Sequence, residues 1–243
     1  MRRIANMAAI ELLFGGLLLV AGLAITTRLM PAAEAGSGLS LAVYLALALL
    51  VWRGWRSNRP LGWPNRITLL RGLLLAWLAV WLMVPAWAGR GAWTIVVVVL
   101  GNLVLDGVDG YLARRLGQAS SFGARFDMEV DAALMLLLCL LIAQADLAGP
   151  WVLLIGLLRY IFLGITTTWP DLNRPLPDRM RRKVICVWQV SSLILAFIPG
   201  LPGFLIEALL ALALVLLVWS FAVDLAWLIR HRPGHNARQL KRT

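Results

Sequence analysis

The chain has 243 residues, of which 61% are hydrophobic and 14% charged, and its formal net charge is +11. A soluble domain typically has about 45–50% apolar and about 25% charged residues, so this composition excludes a soluble globular protein. The basic residues lie in short segments between apolar stretches and not on one polar face, which favours loops facing anionic lipid headgroups over nucleic-acid binding. The two cysteines, Cys139 and Cys186, both lie in apolar segments, so no disulfide framework is indicated.

Apolar stretches dominate the chain from end to end, and a helix needs about 20 such residues to cross a bilayer. Eight candidate crossings cover residues 7–27, 38–53, 67–88, 92–112, 128–147, 150–168, 184–204 and 206–229. The sequence therefore predicts an all-α integral membrane protein, a bundle of about eight transmembrane helices. A cleaved signal peptide is the alternative for the first stretch, but its length and Glu11 favour a retained helix.

The basic residues are concentrated in alternate loops. These loops and the two termini hold Arg2, Arg3, Arg53, Arg56, Arg59, Arg66, Arg114, Arg115, Arg125, Arg174, Arg179, Arg181, Arg182, Lys183, Arg230, Arg232, Arg238, Lys241 and Arg242. The other loops hold only Arg28 and Arg90. Because basic loops stay on the cytoplasmic side, both termini are predicted to be cytoplasmic, in an inner membrane of the bacterial type.

Four aspartates interrupt this apolar pattern in the stretch DGVDGYLARRLGQASSFGARFDMEVD. Asp106 and Asp109 are three residues apart, and Asp127 and Asp131 are four apart, so each pair shares one face of a helix. A short connection near residues 117–123 predicts antiparallel neighbouring helices whose carboxylates converge at the cytoplasmic mouth of the bundle. Asp106, Asp109 and the connecting loop are thus expected to lie at the membrane surface.

Such a cluster requires cations, because like charges this close cannot all stay ionised alone, and a carboxylate in a membrane costs several kcal/mol. Ligands that are all oxygens favour Mg²⁺ or Mn²⁺. Two such ions can clamp the attacking and leaving oxygens of a phosphoryl displacement. Gly110 and Ala113 lack bulk, so a phosphorylated group can approach the backbone, and Arg114 can neutralise a diphosphate.

The acidic stretch resembles the signature of the CDP-alcohol phosphotransferase family, D-x2-D-G-x2-A-R-x8-G-x3-D-x3-D. Every fixed position is present, as Asp106, Asp109, Gly110, Ala113, Arg114, Gly123, Asp127 and Asp131. A second stretch, PNRITLLR, with Asn65, Thr68 and Arg71, resembles the start of phosphatidylglycerophosphate synthase-like members. The resemblance implies a six-helix core over residues 64–230. Two extra helices and a basic loop precede it in 1–63, and a basic cytoplasmic tail follows in 231–243.

The resemblance also implies a role for each matching residue. Asp106, Asp109 and Asp127 look like ligands of a two-metal site that Asp131 completes while acting as general base. The resemblance implies that the surface binding the CDP moiety is formed by Asp106, Asp109, Gly110, Ala113, Arg114 and Gly123. Gly123 is expected in the turn before the second acidic helix. The implied reaction is attack of an acceptor hydroxyl on the diphosphate phosphorus distal to cytidine, with CMP leaving. Family members are typically homodimers.

The acceptor alcohol stays open at this point. Met128 and Ala132 depart from the D-P-x2-D-K pattern of several glycerophosphate-type members, and Ala132 also departs from inositol-type members. The expected acceptor is glycerol-phosphate-like or inositol-phosphate-like. Residues predicted to bind it are Arg181, Arg182, Lys183 and Gln189, for which ordinary anchoring of a cytoplasmic loop is the alternative.

Other charged residues within predicted spans require an explanation of their own. Arg159 and Asp224 need partners inside the membrane, and pairing with each other is one possibility. Glu11 and Glu207 lie nearer to span ends and are expected to reach the interface.

The predicted function is transfer of a phosphatidyl group from CDP-diacylglycerol to a small polar alcohol in phospholipid synthesis. The alternative within the family is transfer of a CDP-activated head group to a lipid hydroxyl. An intramembrane prenyltransferase is disfavoured because its two acidic motifs normally lie far apart in sequence. A divalent-cation transporter would leave Gly110, Ala113 and Arg114 unexplained, and its site is expected at the bilayer midplane.

Overall fold

A computed structural model describes residues 2–55, 61–84, 90–169 and 179–230 of the chain. All regular elements in these ranges are helical, which confirms the all-α fold. The helices are α1 (Arg2–Leu29), α2 (Glu34–Gly54), α3 (Gly62–Leu78), α4 (Arg90–Arg115), α5 (Ser121–Gln144), α6 (Leu153–Thr168), α7 (Met180–Leu195) and α8 (Gly203–Arg230). Short 3-10 segments occur at Pro31–Ala33, Ala79–Met83 and Pro150–Val152.

Six described helical stretches are long and apolar enough to cross a membrane, so the chain is an integral membrane protein. They are Met7–Leu29, Pro31–Gly54, Gly62–Met83, Gly91–Arg115, Pro150–Thr168 and Gly203–Arg230. The prediction of eight crossings included two further helices. Of these, α5 has four charged residues in its first half, Arg125, Asp127, Glu129 and Asp131, and α7 has only 16 residues. The prediction continued α7 to residue 204, but Pro199 and Pro202 follow its end and cannot continue a helix.

Some predicted features lie outside the described residues. They are residues 85–88 of the third predicted span, Arg56, Arg59, Arg174, and the basic tail 231–243 with Arg232, Arg238, Lys241 and Arg242.

The chain divides into two compact units. The first comprises Met1–Leu137 with Phe197–Pro199, and the second comprises Leu138–Ala196 with Gly200–Thr243. The four aspartates of the acidic stretch all belong to the first unit.

Helices α1 and α2 pack against α3 in the first unit. Gly36 lies against the backbone of Val80, where an added Cβ would be 2.2 Å from the carbonyl oxygen. Glu11 of α1 accepts hydrogen bonds from Arg66 of α3, at 2.6 Å from Nη2. Glu11, which is expected from the sequence to reach the interface, pairs with Arg66 across 55 residues of sequence, and this guanidinium compensates its charge. The two N-terminal helices that precede the predicted six-helix core therefore pack and pair with α3, the helix that carries Thr68 and Arg71.

Helices α6, α7 and α8 belong to the second unit, together with the last part of α5. Phe162 of α6 and Phe221 of α8 have ring centroids 5.0 Å apart. Asp224 of α8 accepts a hydrogen bond from Nη2 of Arg181 on α7, at 2.6 Å. Pairing of Asp224 with Arg159 was the possibility raised from the sequence, and the pairing with Arg181 corrects it. The reason is that α7 packs directly along α8 and brings its first turn to the level of Asp224.

Candidate active site

Arg71 of α3 lies at the centre of the acidic cluster, and its side chain is only 1% exposed. Its Nη1 is 2.9 Å from Oδ1 of Asp106 and 2.9 Å from Oδ2 of Asp109. Nη1 also contacts Asp127, and Nη2 contacts Asp131. The structure thus brings together four carboxylates from α4 and α5 around one guanidinium from α3.

Three of the carboxylates form a tight group. Oxygen atoms of Asp106, Asp109 and Asp127 all lie within 4.8 Å of one another. Asp109 is buried, whereas the side chains of Asp106, Asp127 and Asp131 are 35–39% exposed, so the cluster has one accessible side. Two oxygens bound to opposite sides of Mg²⁺ are about 4.2 Å apart, because each Mg–O distance is about 2.1 Å. The donor set and its spacing therefore fit a small divalent ion.

A second layer of polar side chains holds this arrangement in place. Asn102 of α4 is fully buried; its Oδ1 accepts from Nε of Arg71 at 3.2 Å, and its Nδ2 donates to the carbonyl of Arg71 at 3.0 Å. The hydroxyl of Thr68 donates to Oδ2 of Asp109 at 3.0 Å. Sequence reasoning missed Asn102. A signal was present, because Asn102 is a polar residue in an apolar span, four positions before Asp106 and on its face.

The start of α5 is fixed by a helix cap. The N–H of Gly123 donates to Oγ of Ser120 at 3.0 Å, as expected of a serine that precedes the first turn. The resemblance implied that Gly123 lies in the connecting turn, but it is the third residue of α5. The glycine that adopts a left-handed conformation in that turn is Gly117, with φ of 61°.

A cleft opens beside the acidic cluster, between α3, α4 and the start of α5. It is lined by Pro64, Asn65, Thr68, Asp109, Gly110, Ala113, Gln118, Ala119, Ser120, Gly123, Ala124 and Asp127. Arg114, predicted to face the CDP moiety, is exposed, and its guanidinium lies close to Gly110. Gln118 and Ser120 of the cleft were not singled out from the sequence, because loop polarity alone does not distinguish them.

Gly123 also permits close contact between α5 and α3. An added Cβ would lie 2.7 Å from Oδ1 of Asn65, whose Nδ2 is held by the carbonyl of Leu61 at 2.5 Å. We expect Gly123→Ala to lower the free energy of unfolding by about 1–3 kcal/mol, because overpacking of this kind displaces α5 or Asn65. Gly107→Ala is the matched control, since nothing lies within 4 Å of its added Cβ. Equal thermal unfolding temperatures of both variants would show that the contact with Asn65 is unimportant.

The residues predicted to bind the acceptor belong to the second unit. Arg181, Arg182 and Lys183 lie in the first turn of α7, and Gln189 is buried further along the helix. Arg181 pairs with Asp224 and is partly buried, whereas Lys183 is exposed.

Comparison with known proteins identifies several relatives. The family model for CDP-alcohol phosphatidyltransferase matches residues 61–219, more than half of the chain. A CDP-diacylglycerol–glycerol-3-phosphate 3-phosphatidyltransferase of Bacillus subtilis is 28% identical over 150 residues, covering 57% of this chain and 78% of that protein. An Arabidopsis thaliana chloroplastic/mitochondrial protein of the same name, numbered 1, is 29% identical over 186 residues, covering 68% of this chain and 62% of that protein. A third, from Cereibacter sphaeroides, is 33% identical over 106 residues, covering 42% of this chain and 47% of that protein. No solved structure matches the chain.

Proposed function

The chain belongs to the CDP-alcohol phosphatidyltransferase family, and from this we propose that it transfers the phosphatidyl group of CDP-diacylglycerol to glycerol 3-phosphate or a similar phosphate-bearing alcohol, releasing CMP. The observation that carries the proposal is the convergence of the four signature aspartates beside the cleft, around Arg71. The names of the relatives support CDP-diacylglycerol as donor and glycerol 3-phosphate as acceptor.

Asp106, Asp109, Asp127 and Asp131 would hold two divalent ions, Mg²⁺ or Mn²⁺. The spacing of the carboxylate oxygens of Asp106, Asp109 and Asp127 and the all-oxygen donor set support this assignment, and Asp131 is included because it completes the family signature. Ions bound there would neutralise the diphosphate and act as Lewis acids on its oxygens, which makes its phosphorus more electrophilic. Arg71 and Asn102 would keep the carboxylates oriented toward the accessible side of the cluster, which limits the reorganisation needed during the reaction.

Asp131 is assigned as the general base. Its side chain is partly exposed, as a base that must reach an acceptor hydroxyl has to be. The carboxylate takes the proton of the acceptor hydroxyl while the oxygen of that hydroxyl attacks the phosphorus distal to cytidine. The bond from this phosphorus to the bridging oxygen breaks, and the electron pair leaves with CMP.

The cleft is assigned to the CDP moiety. Gly110, Ala113 and Gly123 leave room for a phosphorylated group beside Asp106 and Asp109. Arg114, exposed beside Gly110, would approach the diphosphate and add a positive charge. Asn65 and Thr68 form the α3 side of the cleft.

Arg181, Arg182, Lys183 and Gln189 are assigned to the acceptor phosphate. Cations in the first turn of α7 and the N-terminal end of that helix both favour an anion. For the membrane arrangement, we propose an inner membrane with both termini and the site on the cytoplasmic side, as the distribution of Arg and Lys supports. We also propose a homodimer, which rests on family resemblance alone.

CMP release by the purified protein tests the proposed function. CDP-diacylglycerol is supplied with Mn²⁺ or Mg²⁺ and either glycerol 3-phosphate, inositol phosphate or uncharged alcohols, and products are identified by mass. A phosphatidylglycerophosphate product with metal-dependent CMP release is expected. Turnover only with a CDP-activated amino alcohol and diacylglycerol would contradict the proposed donor.

A further inference from the structure

The pair formed by Arg181 and Asp224 is a buried ion pair within the second unit. Asp224 lies on α8, in a stretch long and apolar enough to span a membrane, and its side chain is 9% exposed. The side chain of Arg181 is 17% exposed, and its Nη2 donates to Oδ1 of Asp224 at 2.6 Å. A buried ion pair is a weak source of stability compared with apolar side chains of similar size. The pair therefore indicates a role beyond holding α7 against α8.

The guanidinium of Arg181 retains unused hydrogen-bond donors. Its Nε and Nη1 are buried and have no partner among the residues that the structure describes. The ring of Trp219 lies 5.0 Å from the guanidinium carbon, in a cation–π contact. One hydrogen bond and one ring contact thus fix the orientation of the group. A buried donor without an acceptor is destabilising, and an anion would remove that cost.

The position of Arg181 on α7 also indicates an anion. Arg181, Arg182 and Lys183 lie in the first turn, where the helix dipole disfavours positive charge. Three cations in the first turn therefore do not stabilise the helix. Together with the backbone N–H groups of the first turn, they create a local field that attracts a phosphate.

We propose that Asp224 is a positioning residue that orients Arg181 so that the remaining N–H groups of its guanidinium bind the phosphate of the acceptor. The inference rests on the proposed function, because it requires an anionic acceptor. Asp224 acts through Arg181 and need not touch the acceptor itself.

Steady-state kinetics of Asp224→Asn test this role, with glycerol 3-phosphate as the probe. We expect KM for glycerol 3-phosphate to rise about tenfold, the loss of one well-oriented charge-assisted hydrogen bond, while kcat and KM for CDP-diacylglycerol change less than twofold. Glu207→Gln is the matched control, because it also converts an acid of α8 to an amide but at an exposed position. This control is expected to match the unmodified protein in all three constants.

A double-mutant cycle with Arg181→Gln tests whether Asp224 acts through Arg181, and the KM-against-kcat difference above separates positioning from a purely structural role. If Asp224 acts through Arg181, adding Asp224→Asn to Arg181→Gln causes no further rise in KM for glycerol 3-phosphate. Additive rises, or a KM in Asp224→Asn that is unchanged or lower, would overturn the inference. If Asp224→Asn does not fold, Arg181→Lys tests the same point, because lysine keeps the charge but lacks the planar fork; an unchanged KM in that variant would also overturn it.

The same assay distinguishes failure of this inference from failure of the proposed function. An unmodified protein that uses glycerol 3-phosphate, together with an unaffected Asp224→Asn variant, would contradict the role of Asp224 alone. An unmodified protein that releases CMP only with uncharged alcohols would contradict both.

Discussion

Replacing Asp131 with Asn is expected to lower the rate of CMP release by about 10³-fold while much of the binding of CDP-diacylglycerol persists. Asn keeps the shape of the side chain and its oxygen still accepts a hydrogen bond from Arg71, which Asp131 contacts in the structure. The amide cannot take a proton from the acceptor hydroxyl, so the chemical step is lost. Turnover is measured as CMP release, and binding as the shift in thermal unfolding temperature caused by CDP-diacylglycerol.

Glu129→Gln is the matched control for Asp131→Asn. Glu129 is an acidic residue of the same helix, two positions before Asp131. The acidic residues that Arg71 contacts are the four aspartates. We expect this variant to keep most of its activity. If Asp131→Asn instead loses binding and turnover equally in folded protein, Asp131 is only a ligand and another group accepts the proton.

Replacing Arg71 with Met is expected to lower the free energy of unfolding by about 3–5 kcal/mol when divalent ions are absent. The reason is that this buried guanidinium is the cation in contact with all four aspartates, and Met leaves their charges uncompensated. Added Mn²⁺ is expected to recover part of the loss, because an ion that binds only the folded protein stabilises it. The measurement is thermal unfolding in detergent, with and without Mn²⁺.

Arg115→Met is the control for Arg71→Met. Arg115 is exposed on α4 and donates to the hydroxyl of Tyr111 at 2.8 Å, so its loss should change stability by less than about 1 kcal/mol. Equal stability of the Arg71→Met and Arg115→Met variants, with no response to Mn²⁺, would show that Arg71 does not balance the acidic cluster.

The sequence predicts what depends on local spacing. Apolar stretches of membrane length predicted the helical membrane fold, and the intervals from Asp106 to Asp109 and from Asp127 to Asp131 predicted two acidic helix faces. The sequence does not predict contacts between segments that are far apart in the chain. The position of Arg71 among the aspartates depends on how α3 lies against α4, which hydropathy does not specify.

The pairings of Glu11 and Asp224 show the same limit. Each acid was recognised from the sequence as unusual within or near a span, because a carboxylate in a membrane requires a partner. Which arginine supplies that partner depends on helix packing and on helix ends. The partner of Glu11 is Arg66, and that of Asp224 is Arg181, in the first turn of a helix shorter than hydropathy predicted.

The most direct test of the metal-centred account is a structure of the protein crystallised with Mn²⁺ and CDP-diacylglycerol, with anomalous scattering used to locate the ions. If the four aspartates hold the ions, manganese peaks are expected between oxygens of Asp106, Asp109, Asp127 and Asp131, with the diphosphate bound to them in the neighbouring cleft. Manganese bound elsewhere, or a diphosphate held in the cleft by side chains with no ion at the four aspartates, would contradict it.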